Sequence, residues 1–283
     1  MRHRPLSIHR GARAGLTLVD VLVSMVLIVF LAGVALPGIF GRSRETSERV
    51  KCAKNLRQIG LAMMLYANEN NGFYPRTYSD TEADKVTSYS KPDAKNPFAK
   101  GADGVDANDV TAPMFLLLRT QDLTPDVFTC PSSKAEPLTF GVQDHSNFDS
   151  AKHLAYSMHA PYPSAKAIGE GFGWATPLKA EFAVAADMNP GSDELTKLTA
   201  VSNAKDMKAG NSLNHGGAGQ NVLYGDGHVE WQQMPFCGVD HDNIYTYGPS
   251  GKTKGGDGIT GRQAGGEDSI LLPTAKEGAE PTK

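Results

Sequence analysis

Residues 16–40 constrain this chain more than any other stretch. From Leu16 to Phe40 there are 25 residues with one formal charge, Asp20. A helix rising ~1.5 Å per residue over that run slightly exceeds the ~30 Å hydrocarbon core of a bilayer. Arg2, Arg4, Arg10 and Arg13 lie ahead of it, and no acid precedes Asp20. By the positive-inside rule this end stays in the cytoplasm and everything after Phe40 is exported. A cleavable secretory signal has an apolar core of roughly 7–15 residues before a small-residue cleavage site. Gly33-Val34-Ala35 offers such a site, but the run before it is too long. A plain anchor fits the length and leaves Asp20 unexplained, because a carboxylate inside lipid is costly without a partner.

Gly15-Leu16-Thr17-Leu18-Val19-Asp20 offers a reason for the acid. The segment resembles the processing site of type IV prepilins and type II secretion pseudopilins. The resemblance implies that a membrane peptidase cuts after Gly15 and methylates Leu16 as the new terminus. The apolar helix is then kept as an assembly handle, and Asp20 is the acid that meets a subunit's terminal amine in a fibre. Leu16 stands where the family usually has phenylalanine, and Asp20 where it usually has glutamate. Pro37 falls where pilin helices commonly carry a proline, and it is expected to bend or locally unwind the helix.

The remainder fits an exported protein with one substantial domain. The chain has 283 residues and a net charge of −3, and setting the arginine-rich leader aside makes it more acidic. No basic patch of the density that nucleic acid requires is present, so nucleic acid is not an expected partner. Three cysteines permit one disulfide with one thiol left over.

From Gly41 to Asn71 the spine continues. Val50, Ala53, Leu56, Ile59-Gly60, Met63 and Tyr66-Ala67 recur every three or four residues, the apolar stripe of an amphipathic helix. Asn70-Asn71-Gly72 is a stop signal. Cys52-Ala53-Lys54-Asn55-Leu56-Arg57-Gln58-Ile59-Gly60-Leu61-Ala62, with Tyr66 and Tyr74-Pro75, is similar to planctomycete-type prepilin-like proteins, as is Cys130-Pro131-Ser132. That likeness covers Cys52 and Cys130 and implies that they pair, leaving Cys237 free. A Cys130–Cys237 bond would tie two exported segments equally well.

Ser79 to Val110 reads as an irregular surface excursion, Ala112 to Leu118 as a short helix against the spine, and Glu181 to Asp187 as a strand. Asn221-Val222-Leu223-Tyr224, Gly225-Asp226-Gly227 and His228-Val229-Glu230-Trp231 make a hairpin signature. Ten residues separate His215 from Asp226-Gly227. The prepilin-associated domain has nine residues between a histidine and an Asp-Gly pair, and the extra residue here falls in a Gly-rich loop. His215, Asp226, His228, Asp240, His241 and Asp242 are residue types that suit a metal or hydrolytic centre. Yet there is no His-x-x-x-His pair with a glutamate, no cysteine pair at zinc spacing and no Gly-x-Ser-x-Gly elbow. The expectation is therefore that His215, Asp226 and Gly227 tie the hairpin loops together structurally, with no catalytic residue. A calcium site at Asp240 and Asp242 is the minority alternative, and no other cofactor is expected.

These readings combine into an α+β chain: a leader over 1–15, a membrane and assembly segment over 16–40, and an amphipathic helix over 41–71. An exported domain with a mainly antiparallel sheet follows over 72–273, then a disordered tail over 274–283. The resemblance implies a non-enzymatic subunit of a type II secretion pseudopilus or type IV pilus-like fibre, held single-pass in the cytoplasmic membrane. Its partners would be the prepilin peptidase, other pilin-like subunits, the assembly platform and membrane lipid. The alternatives are an anchored binding module that never polymerises and, last, an anchored hydrolase using His215 and Asp226.

Overall fold

The structure is a computed structural model describing residues 15, 17–83 and 85–277, with backbone alone over 32–43. Two units divide the chain, 1–46 and 47–283. Helix α1 runs Leu18–Glu69. In the first unit its backbone is helical through Pro37, whose side chain lies outside the described residues, as Leu16 does altogether. The apolar side chains from Leu18 to Leu31 are each 44–80 % exposed. Among the described residues, no helix is long and apolar enough to cross a membrane.

In the second unit α1 ends as its sequence dictates. Asn71 (φ 55°) and Gly72 (φ 86°) take left-handed backbone, and the Gly72 amide donates to the Ala67 carbonyl at 2.8 Å. The buried stripe is Cys52, Leu56, Ile59, Met63, Tyr66 and Ala67. Val50, which the spacing places in that stripe, faces outward at 64 % exposure, as do Leu61 at 57 % and Leu65 at 58 %. The 3.6-residue period admits more than one origin, and packing selects the one beginning at Cys52.

Five strands follow: β1 (Tyr156–His159), β2 (Ala183–Asp187), β3 (Gln220–Tyr224), β4 (Val229–Gln232) and β5 (Leu271–Leu272). They form one antiparallel sheet in the order β4-β3-β2-β1-β5. Leu223 and Val184 join the α1 core, whereas Val222, Tyr224, Ala183 and Ala186 pack with Leu195, Ile244 and Tyr245. With both faces covered, β2 and β3 are buried throughout rather than on alternate residues. Gly60 brings α1 close to the sheet, since a methyl there would sit 2.9 Å from Leu223.

Helix α2 (Ala112–Thr120) buries Met114, Phe115 and Leu117 beside the spine. Two further short helices, α3 (Ala165–Gly169) and α4 (Ala204–Gly210), are capped by Ser164 and Asn203. The segment 79–110 is irregular, but it is not only surface. Asp109 is fully buried and accepts from the amides of Ser90, Thr111 and Ala112, from the Thr111 hydroxyl and from the Asn147 amide group. One carboxylate thus holds the excursion and the start of α2 together. The start of the C-terminal tail is also held, with Thr274 buried and the Ala275 amide bonded to Asn189 at 2.8 Å. Residues 278–283 lie outside the described set.

Candidate functional site

At the start of α1, Thr17 and Asp20 bond each other. Asp20 Oδ2 accepts from the Thr17 amide at 2.9 Å and the Thr17 hydroxyl at 2.8 Å, and Thr17 Oγ1 accepts from the Asp20 amide at 3.3 Å. This is the reciprocal arrangement of a capping box, with aspartate in place of glutamate. The acid therefore has a local partner, and Gly15 lies exposed just ahead of it.

The hairpin takes the shape its turn residues predict. Tyr224 and Gly227 close a tight turn at 2.9 Å, the Tyr224 amide donates to His228 at 3.0 Å, and Gly227 has φ 88°. The positive φ is what calls for glycine here, and a methyl on Gly227 would also push aside the end of the Met64 side chain of α1, 2.6 Å away. Asp226 is exposed and accepts from the His228 amide at 3.0 Å and from His228 Nδ1 at 2.5 Å. These bonds, the backbone one first, hold its carboxyl below the usual range.

His215 does not meet Asp226, which corrects the expected loop-to-loop tie. Its side chain is buried with that of Asp187, Nε2 lying 3.5 Å from Oδ2. The reason is topological. His215 precedes β3 at the end opposite the turn, where β2 finishes in Asp187. Oδ2 of Asp187 accepts from the Asn221 amide at 2.7 Å and its side chain at 3.1 Å, and Oδ1 from Asn214 at 3.3 Å. The imidazole meets the Trp231 ring edge-on at 5.4 Å, and the Arg49 guanidinium lies 4.1 Å over that indole.

Cys52 and Cys130 are joined in a disulfide, with Cα atoms 5.5 Å apart, and Cys237 is free. Asn55 helps set this approach, donating to the Thr129 carbonyl at 2.8 Å. Cys130 Sγ lies 3.8 Å from His215 Nε2. Cys52, Cys130, Asp187 and His215 are all buried, and one donor atom from each falls within 4.8 Å of the others. Asp187 is the member that the sequence did not single out. Its one available signal was an acid closing an otherwise apolar strand.

Asp240 and Asp242 separate. Asp240 is exposed on left-handed backbone, φ 52°. Asp242 is buried and accepts from Ser250 at 2.7 Å and the Ser269 amide at 2.8 Å. Neither belongs to a group of potential metal ligands among the described residues. Burial first, then the Asp268 carboxylate, pushes the Asp242 carboxyl up to about 8. The folded protein thus keeps a proton that an unfolded chain releases near pH 4, so stability falls as pH rises from about 4 to 8. The Asp242→Asn variant is expected to lack ~2–3 kcal/mol of the loss between pH 5 and pH 7. Urea midpoints at the two pH values measure it, and an unchanged difference would refute the assignment.

Residues 42–180 match the family described as a protein of unknown function (DUF1559). The match covers 139 of the 283 residues, just under half of the chain. The DUF1559 segment holds Cys52, Asn55 and Cys130 and stops before Asp187 and His215. No curated protein and no solved structure matches the chain.

Proposed function

We propose that the protein is a structural, pilin-like subunit cut by prepilin peptidase between Gly15 and Leu16 and built into a pseudopilus or type IV pilus-like fibre. Before assembly it is anchored in the cytoplasmic membrane by residues 16–40, amino terminus inside and globular domain exported. Its partners are the peptidase, other pilin-like subunits and the assembly platform, and it carries out no catalytic step.

One observation carries this reading. A single helix exposes apolar side chains from Leu18 to Leu31 and then supplies the spine of a folded core from Cys52 to Ala67. A helix apolar on every side is stable only when lipid or other helices surround it. Val50, Leu61 and Leu65 add apolar surface on the outer side of the core-packed turns, suited to neighbouring subunits.

The mature terminus tests the processing step. Mass spectrometry is expected to find N-methyl-leucine at Leu16, and Gly15→Phe is expected to accumulate the uncut precursor in membranes. The Asp20→Asn chain should be cut and inserted but scarce in sheared fibres. A terminus at Leu36 would mean a secretory signal instead, and normal incorporation of the Asn variant would remove the acid from assembly. An anchored binding module that never polymerises is the second reading. A cleft of about 600 Å³, lined by Phe172, Phe182, Lys179, Asp242 and Asp268 among others, favours it. Wild-type protein confined to membranes and absent from sheared fibres would select that reading.

A further inference from the structure

Four side chains from four separate segments converge at the end of β2 and β3 away from the hairpin turn. Cys52 comes from the buried face of α1 and Cys130 follows the short turn Pro125–Phe128. Asp187 ends β2, and His215 sits in the turn Leu213–His215 before β3. Their donor atoms lie within 4.8 Å of one another and all four residues are buried. Tetrahedral bonds of ~2.0–2.3 Å place zinc ligands about 3.3–3.8 Å apart. Cys130 Sγ to His215 Nε2 at 3.8 Å and His215 Nε2 to Asp187 Oδ2 at 3.5 Å already have that spacing.

The surroundings also suit a ligand set. Asn221 and Asn214 hold the Asp187 carboxylate by three hydrogen bonds, and Trp231 fixes the His215 ring. Outer contacts of this kind orient metal ligands. Two thiolates with an imidazole favour zinc or cobalt over calcium or magnesium. Burial of all four donors leaves no open position for a substrate, so the site would be structural rather than catalytic.

We infer that Cys52, Cys130, Asp187 and His215 form a closed zinc site in the thiol form of the protein, exclusive with the Cys52–Cys130 disulfide. The two states share the same sulfurs. A trialkylphosphine and water break the S–S bond, both sulfurs are reduced and protonated to thiols, and the phosphine leaves as its oxide. Zinc then binds as the two thiols release two protons. The inference is independent of whether the protein polymerises.

The test uses full-length protein in detergent, freed of metal by a chelator that is then removed, and titrated anaerobically with Co²⁺. Phosphine-reduced protein is expected to bind one Co²⁺ per chain with thiolate-to-metal charge-transfer absorption and the visible bands of tetrahedral cobalt. Zn²⁺ should abolish both. The oxidised protein serves as a control with no change of sequence and should show neither signal. Cys237→Ser should leave the reduced protein's signal intact, and Asn221→Ala should weaken Co²⁺ binding by about 10–100-fold. If reduction unfolds the chain, Zn²⁺ is expected to restore the native circular dichroism. Three results would overturn the inference: no thiolate band in folded reduced protein, no recovery of unfolded reduced protein by Zn²⁺, or loss of the band in Cys237→Ser.

Discussion

Replacing Cys52 by alanine is expected to lower the stability of the exported unit by about 4–5 kcal/mol. The disulfide joins residues 78 apart in sequence. In the chain-entropy account, such a bond restricts the unfolded chain roughly in proportion to the logarithm of the loop it closes. It also ties the buried face of α1 to the segment after Phe128, which Asn55 holds from the same helix face. Cys130→Ala should cost the same, and the double replacement no more than either alone, because the two sulfurs act as one unit. Cys237→Ala should cost much less, about 1 kcal/mol, since its thiol closes no loop and only packs beside Tyr224 in the second core cluster, 3.7 Å from the Pro235 carbonyl. Urea unfolding in the presence of a chelator measures all four without interference from metal. A loss below about 1 kcal/mol for Cys52→Ala would show that the bond does not constrain the unfolded state.

The second large effect is expected at Asp187. Replacing it by alanine should cost about 3–5 kcal/mol, on the scale of leaving several buried hydrogen-bond donors without an acceptor. The carboxylate is fully enclosed and answers the Asn221 backbone amide, two side-chain amides and the His215 ring. Without it, those donors are left in a region that water does not reach, and each bears its own desolvation cost. Its backbone carbonyl also accepts from the buried Tyr245 hydroxyl at 2.7 Å, so relaxation around the gap would disturb the opposite face of the sheet. Asp226→Ala makes the matching control. That carboxylate is exposed and bonds only within its own turn, so the change should stay near 0.5 kcal/mol. Thermal melts of the two variants separate the assignments, and equal shifts would put the histidine pairing back at the hairpin turn.

What the sequence determined by itself is local. The hairpin of β3 and β4 follows from Tyr224-Gly225-Asp226-Gly227-His228, because a glycine at positive φ and an Asp beside the turn set the bend without outside help. Helix α1 stops at Asn70-Asn71-Gly72 for the same kind of reason. The apolar character of residues 16–40, and the motif from Gly15 to Asp20, are likewise written in consecutive residues. The likeness carried by Cys52 to Ala62 and by Cys130 agrees with the family match over 42–180.

The tertiary structure decided which residues separated in the chain meet. Strand β1 was not evident from its turn-rich neighbourhood, and β5 lies beside β1 although more than a hundred residues separate them. The helical period allowed Val50 into the buried stripe, and only packing on Leu223 and its neighbours turned it outward. His215 was legible as a marked residue, but its partner was not. Asp187 and Asp226 are both acids near the same strand pair, and only the antiparallel pairing of β2 with β3 brings the first of them to the histidine. The cysteine, histidine and aspartate cluster has no sequence spacing at all, since its four members come from a helix, a turn, a strand end and a loop. A helix or a turn is built by neighbours and can be read from neighbours, whereas a closed cluster exists only once a sheet and a helix have packed against each other.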